Sequence, residues 1–185
     1  MKKTIRRIAF FLFVLFHLSF LLAIFYEKID TLQLVALLLI IALLVTIGYF
    51  KSPREEEEHF FEDFYNIIYV ITGCMITFLL NQMAGLGPVI GAGITGSIAS
   101  FLPIIFRRKG AATKEIPVAM YCGAFVGMTS PMVTENWRFI LFAGFVTGVI
   151  YICSKNVFQG YGGKLGSVAF GGVAITSVFL FLFTS

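Results

Sequence analysis

Charge is what the apolar parts of this sequence lack. None of its ten acidic or fourteen basic residues lies deep in a long apolar run; all fall between runs or within a turn of an end. Proton-coupled pumps keep an ionisable group near the middle of the bilayer, so a carboxylate relay is not expected. Histidine is scarce too, with only His17 and His59. Gly93-Ile94-Thr95-Gly96-Ser97 shares little more than a serine with intramembrane protease loops, and no histidine follows His59 to activate one. Metal hydrolysis would need a His/Glu cluster, which is missing as well. No enzyme, metal or cofactor is therefore expected. The three cysteines, Cys74, Cys122 and Cys153, sit in or beside apolar stretches without CxxC spacing. That pattern reads as buried thiols rather than a disulfide framework. Glycine is nearly missing from the first 83 residues, which hold only Gly48 and Gly73.

What is present is apolar length. The chain has 185 residues, 58% of them apolar, and a mean hydropathy of +0.92. This exceeds the usage of soluble globular domains and predicts one integral membrane domain. The formal net charge of +4 is spread in short clusters with no basic face, so nucleic-acid binding is not expected. Met1 to Arg7 precede an apolar run as in a secretory signal, but the run Ile8–Tyr26 is long and no small-x-small site follows. It reads as an uncleaved first span.

About 20 apolar residues cross the hydrocarbon core as a helix. Seven stretches approach this: Ile8–Tyr26, Thr31–Phe50, Phe64–Met83, Leu86–Phe106, Ile116–Val133, Arg138–Ser154 and Lys164–Thr184. With the N-terminus in the cytoplasm and alternation thereafter, twelve Lys and Arg residues fall inside and only Lys28 and Arg138 outside. The positive-inside rule thus predicts an all-α, polytopic protein of seven helices, N-terminus cytoplasmic and C-terminus outside. A prokaryotic inner membrane is the expected location. Ser52, Pro53 and Glu55 form a helix start, and aromatic residues mix with acidic ones up to Asp63. This loop, 51–63, and the basic loop 107–115 are candidate docking points for a cytoplasmic partner.

Sixteen of the eighteen glycines follow residue 83. Each of the last four stretches carries one GxxxG: Gly87/Gly91, Gly123/Gly127, Gly144/Gly148 and Gly162/Gly166. Residues four apart share a helix face, and small faces let helices approach closely in membranes. Ala92/Gly96/Ser100 and Gly163/Ser167/Gly171 extend these stripes. The chain is therefore expected to divide into anchor-like helices over 1–83 and a glycine-rich packed core over 84–185. Pro88-Val89 and Pro117-Val118 open the fourth and fifth stretches, with Pro103 and Pro131 closing them. In antiparallel helices this pairing would be an inverted repeat.

The core supplies the candidate residues. Gly91, Gly93, Gly96, Gly123, Gly127, Gly144 and Gly148 either pack or line a narrow path, with hydroxyls from Thr95, Ser97, Ser100, Thr129 and Ser130. His17 is a polar residue at the centre of the first span. Asn66, Asn81 and Gln82 are expected to form interhelical hydrogen bonds. Gly162, Gly163 and Lys164 offer amides and one charge to an anion or lipid headgroup. Gly160-Tyr161-Gly162 lacks the Thr-Val and pore helix of a potassium filter. The pattern favours a small channel or transporter for an ion or small solute, working as a homo-oligomer among membrane lipids. The alternative is a non-transporting scaffold, lipid-binding protein or partner subunit. A path through the core predicts that Leu at Gly96 or Gly127 abolishes flux in protein that still inserts.

Overall fold

A computed structural model describes isolated helical positions between residues 11 and 26, and then residues 32–51, 64–105, 111–154 and 163–184. His17, Gly162 and most of the loop 51–63 lie outside the described residues. Among those described, the architecture is all-helical with no strand.

The chain forms two compact units, residues 1–57 with 153–162, and residues 58–152 with 163–185. The first contains α1 (Leu32–Lys51), an apolar helix exposed at Leu37, Leu39, Ile40, Leu43 and Leu44. Thr46 Oγ1 donates to the Ala42 carbonyl at 2.7 Å, which satisfies that hydroxyl within the helix itself.

The second unit holds α2 (Phe64–Phe78), a π-helical turn (Leu79–Met83), α3 (Pro88–Ile105), α4 (Ala111–Gly127), α5 (Trp137–Ser154) up to Ile152, and α6 (Lys164–Thr184). Among the described residues, four helical stretches are long and apolar enough to cross a membrane: Phe64–Met83, Pro88–Ile105, Trp137–Ser154 and Lys164–Phe183. At 1.5 Å per residue, twenty residues reach about 30 Å, the thickness of the hydrocarbon core. Large side chains such as Ile90, Phe101, Ile104, Phe181 and Leu182 are exposed along them. Such a surface suits lipid, and the molecule has the form of a membrane-embedded protein.

Local chemistry sets the helix ends. Gly85 (φ +67°) and Gly87 (φ +82°) take left-handed backbone that other residues avoid, and Pro88 follows at the first helical position of α3. Asn136 Oδ1 accepts the Arg138 N–H at 2.9 Å, capping α5.

The fifth apolar stretch behaves differently from its expected span, Ile116–Val133. Its helix begins earlier, at Ala111, and stops at Gly127. The cause lies just beyond: Thr129 Oγ1 bonds the Val126 carbonyl at 2.6 Å, Ser130 Oγ accepts the Met132 N–H at 3.2 Å, and Pro131 has no N–H to offer. Hydroxyls that compete for the backbone, followed by proline, end a helix. Pro117 consequently lies inside α4 rather than opening it, and Pro103 lies inside α3. The inverted pairing loses its matching ends.

α2 packs most extensively on α4, and α4 also meets α3 and α6. One cluster of the core joins Cys74, Phe78, Val126, Phe139, Ile140, Ala143 and Ala169; a smaller one joins Ala99, Ile116 and Met120.

Candidate functional site

One face of α2 and its π-turn is buried along its whole length: Asn66, Val70, Gly73, Cys74, Thr77, Phe78 and Asn81. The spacing of three and four places them in a single stripe. Three glycines decide what meets that stripe. A Cβ on Gly73 would strike the Met120 backbone, 2.9 Å from its Cα. One on Gly123 would strike Val70 and lie 2.9 Å from the Cys74 nitrogen. One on Gly127 would lie 2.7 Å from the Thr77 Cβ and 2.8 Å from the Phe78 nitrogen. Here α2 and α4 cross backbone on backbone, a contact only glycine permits.

The polar groups of this stripe form a seam. Thr77 Oγ1 donates to Thr95 Oγ1 of α3 at 2.8 Å, and Thr95 Oγ1 donates to the Gly91 carbonyl at 2.9 Å. Asn81 Nδ2 donates to the Gly127 carbonyl at 3.2 Å, satisfying one of the carbonyls left open where α4 ends. Gln82 Nε2 donates to the carbonyls of Thr129 and Thr134, each at 3.2 Å. Towards the start of α2, Asn66 Nδ2 donates to Glu115 Oε2 of α4 at 2.6 Å. Apart from Glu115, every group is neutral. Hydroxyls, amides and carbonyls of this kind can hold a small polar solute or replace part of an ion's hydration; they offer no activated nucleophile. Among the described residues, no three His, Cys, Asp or Glu side chains gather where a metal could bind.

The sequence candidates divide on this geometry. Gly91, Thr95, Gly127 and Thr129 belong to the seam, and Gly123 to the crossing beside it. Gly144 and Gly148 also pack on α2, where an added Cβ would lie 3.3 Å from Cys74 Sγ and 2.9 Å from Ile67 Cα respectively. Gly96 faces only the Tyr121 ring, at 2.8 Å. Gly93 has nothing within 4 Å, and Ser97 and Ser100 are exposed beside it; Ser100 Oγ is bonded to the Gly96 carbonyl. Ser130 holds the turn after α4. Gly163 precedes α6 with φ +85°, and Lys164 opens that helix.

The four GxxxG motifs are thus not equivalent. Only Gly123/Gly127 and Gly144/Gly148 place both glycines against another helix; Gly87 shapes a turn, and Gly166 has open space around it. α2 comes from the part read as anchor, yet both working motifs close on it. Sequence reading passed over Gly73, Thr77 and Gly172, the last of which rests against Thr147 of α5. The hydroxyls of Thr147 and Thr176 are buried without a hydrogen-bond partner. A lone Gly73 carries no spacing signal; the available clue was its place in the Asn66-to-Asn81 stripe.

No protein-family model matches this chain, and no curated protein or solved structure matches it.

Proposed function

We propose that this chain is a small multi-pass membrane channel or transporter for an ion or small uncharged solute, with its pathway along the seam between α2, α3 and α4. The observation that carries this reading is the interrupted hub helix. α2 widens into a π-turn where α4 stops short, and Asn81 and Gln82 reach backbone carbonyls there. π-turns within helices recur at functional positions. The proposed setting is seven spans in a prokaryotic inner membrane, N-terminus inside, with the π-turn near the outer surface. The seam is closed in this conformation, so conduction requires the turn after α4 to part from the π-turn. The absence of charge around Thr77, Thr95 and Asn81 favours passive conduction or a neutral solute.

A second reading is a scaffold or partner subunit. Its support is that the working glycine faces are filled by α2, while the small face of α3 at Gly93 and Ser97 is exposed, with no described residue against Gly93. A second copy would fit that face.

Flux of ions and small neutral solutes through purified protein in liposomes separates the two. Asn81→Leu and Thr95→Val remove polar groups from the seam without entering the glycine crossing. Flux that falls in both variants, with folding intact, supports the pathway; silence from folded wild-type protein supports the scaffold.

A further inference from the structure

Gln82 ties the turn that follows α4 to the π-turn. The turn is organised internally around Ser130, whose carbonyl accepts the N–H of Val133 at 2.9 Å and of Thr134 at 3.2 Å. Its outer surface is bare, with Met132 96% exposed and Val133 exposed beside it. From α2, the single amide group of Gln82 reaches both the start of the turn, at Thr129, and its far side, at Thr134. Next to it, Asn81 is bonded to the last carbonyl of α4. These amides belong to a π-turn closed by the Ala84 N–H on the Leu79 carbonyl at 2.9 Å, and the chain leaves it through Gly85 and Gly87 in left-handed conformation. A π-turn can revert to α-helix by shifting its hydrogen bonds one residue, and glycines beside it absorb the resulting rotation.

We infer that Gln82 is a latch: its forked amide fastens residues 129–134 as a lid beside the end of α4, and release of the amide frees that lid from the π-turn. The Gln82 side chain is half-buried, so its bonds exchange with water readily. By contrast, the Gly73/Gly123 crossing below it has no side chain to withdraw. The lid therefore opens at the π-turn while the crossing stays shut. The latch stands on this geometry alone; only its use as a gate rests on the transport reading above.

The test uses full-length protein in nanodiscs carrying Met128→Cys, a half-buried position where α4 gives way to the lid. A polar maleimide is applied, and labelling at each cysteine is followed by mass spectrometry. Gln82→Glu keeps the shape but turns the donor into an acceptor facing two carbonyls. Gln82→Met keeps length and removes polarity, and it carries the same expectation should the Glu variant fail to fold. Loss of two hydrogen bonds raises labelling at position 128 roughly tenfold or more, while buried Cys74 on α2 stays unlabelled. Unchanged labelling at position 128 overturns the latch. An equal rise at Cys74 also overturns it, because Gln82 would then support the whole fold. In the same variants a raised solute leak supports the latch as a gate. Absence of flux from every form, wild type included, sinks the transport reading and leaves the labelling to decide the latch.

Discussion

The crossing of α2 on α4 and the polar end of the same helix pair are held by different physics. At the crossing, Gly73, Gly123 and Gly127 bring backbone against backbone, and the contact is dispersion summed over many atoms. At the end, two side-chain amides reach carbonyls 3.2 Å away. The first contact has no partial state, since a helix cannot be half separated from another at van der Waals distance. The second can be made and broken one bond at a time. One helix thus carries a fixed joint and a releasable one within three turns.

The largest effect should come from attacking the joint. Gly123→Leu places a side chain into the Val70 carbonyl and the Cys74 nitrogen, and we expect a loss above about 4 kcal/mol, seen as absence of folded protein in detergent. Gly127→Leu fails similarly, which removes it as a clean probe of flux. If Gly123→Leu retains wild-type thermal stability, the backbone crossing does not exist. A smaller loss, about 1–3 kcal/mol, is expected for Asn66→Leu, which removes one donor from Glu115; chemical unfolding measures it, and no change would mean that water replaces the amide. Thr95→Val removes one acceptor from Thr77 and should cost about 1 kcal/mol, near the usual value for interhelical hydrogen bonds in membranes. The smallest effect belongs to Gly93→Ala, where nothing lies within 4 Å; stability of the monomer should stay within about 0.5 kcal/mol. If oligomer size measured by crosslinking falls in that variant, the outward face of α3 is an interface between copies.

Much of the helical layout was legible from apolar length. The observed α2 with its π-turn and α6 share the bounds expected for Phe64–Met83 and Lys164–Thr184. Helix-ending chemistry was less legible: Thr129, Ser130 and Pro131 looked apolar enough in sum to continue a span, but each removes or diverts a backbone bond. Glycine spacing identified faces that approach something without naming what they approach. Gly123, Gly127, Gly144 and Gly148 all close on α2, a helix with one glycine of its own, because a close contact needs a small residue on only one side; Gly123 and Gly127 meet mainly its backbone, Gly144 and Gly148 its Cys74 and Ile67 side chains as well. Glu115 was read as a loop-end charge; its bond to the buried Asn66 depends on a register between helices about fifty residues apart in sequence, which no local pattern encodes.

The brevity of α4 bears on how the protein is made. Its apolar part, Glu115–Gly127, covers roughly 20 Å, against a hydrocarbon thickness of about 30 Å. It is also rich in glycine and alanine, which contribute little to partitioning. In the membrane setting proposed above, such a segment enters the bilayer poorly by itself. Its partner precedes it in the chain: α2 emerges some fifty residues earlier, a lead of roughly 3–10 s at ordinary rates of translation. The ribosome therefore delivers the grooved helix first and the segment that depends on it second, and a chain expressed from residue 84 onward, without α2, should leave α4 outside the membrane.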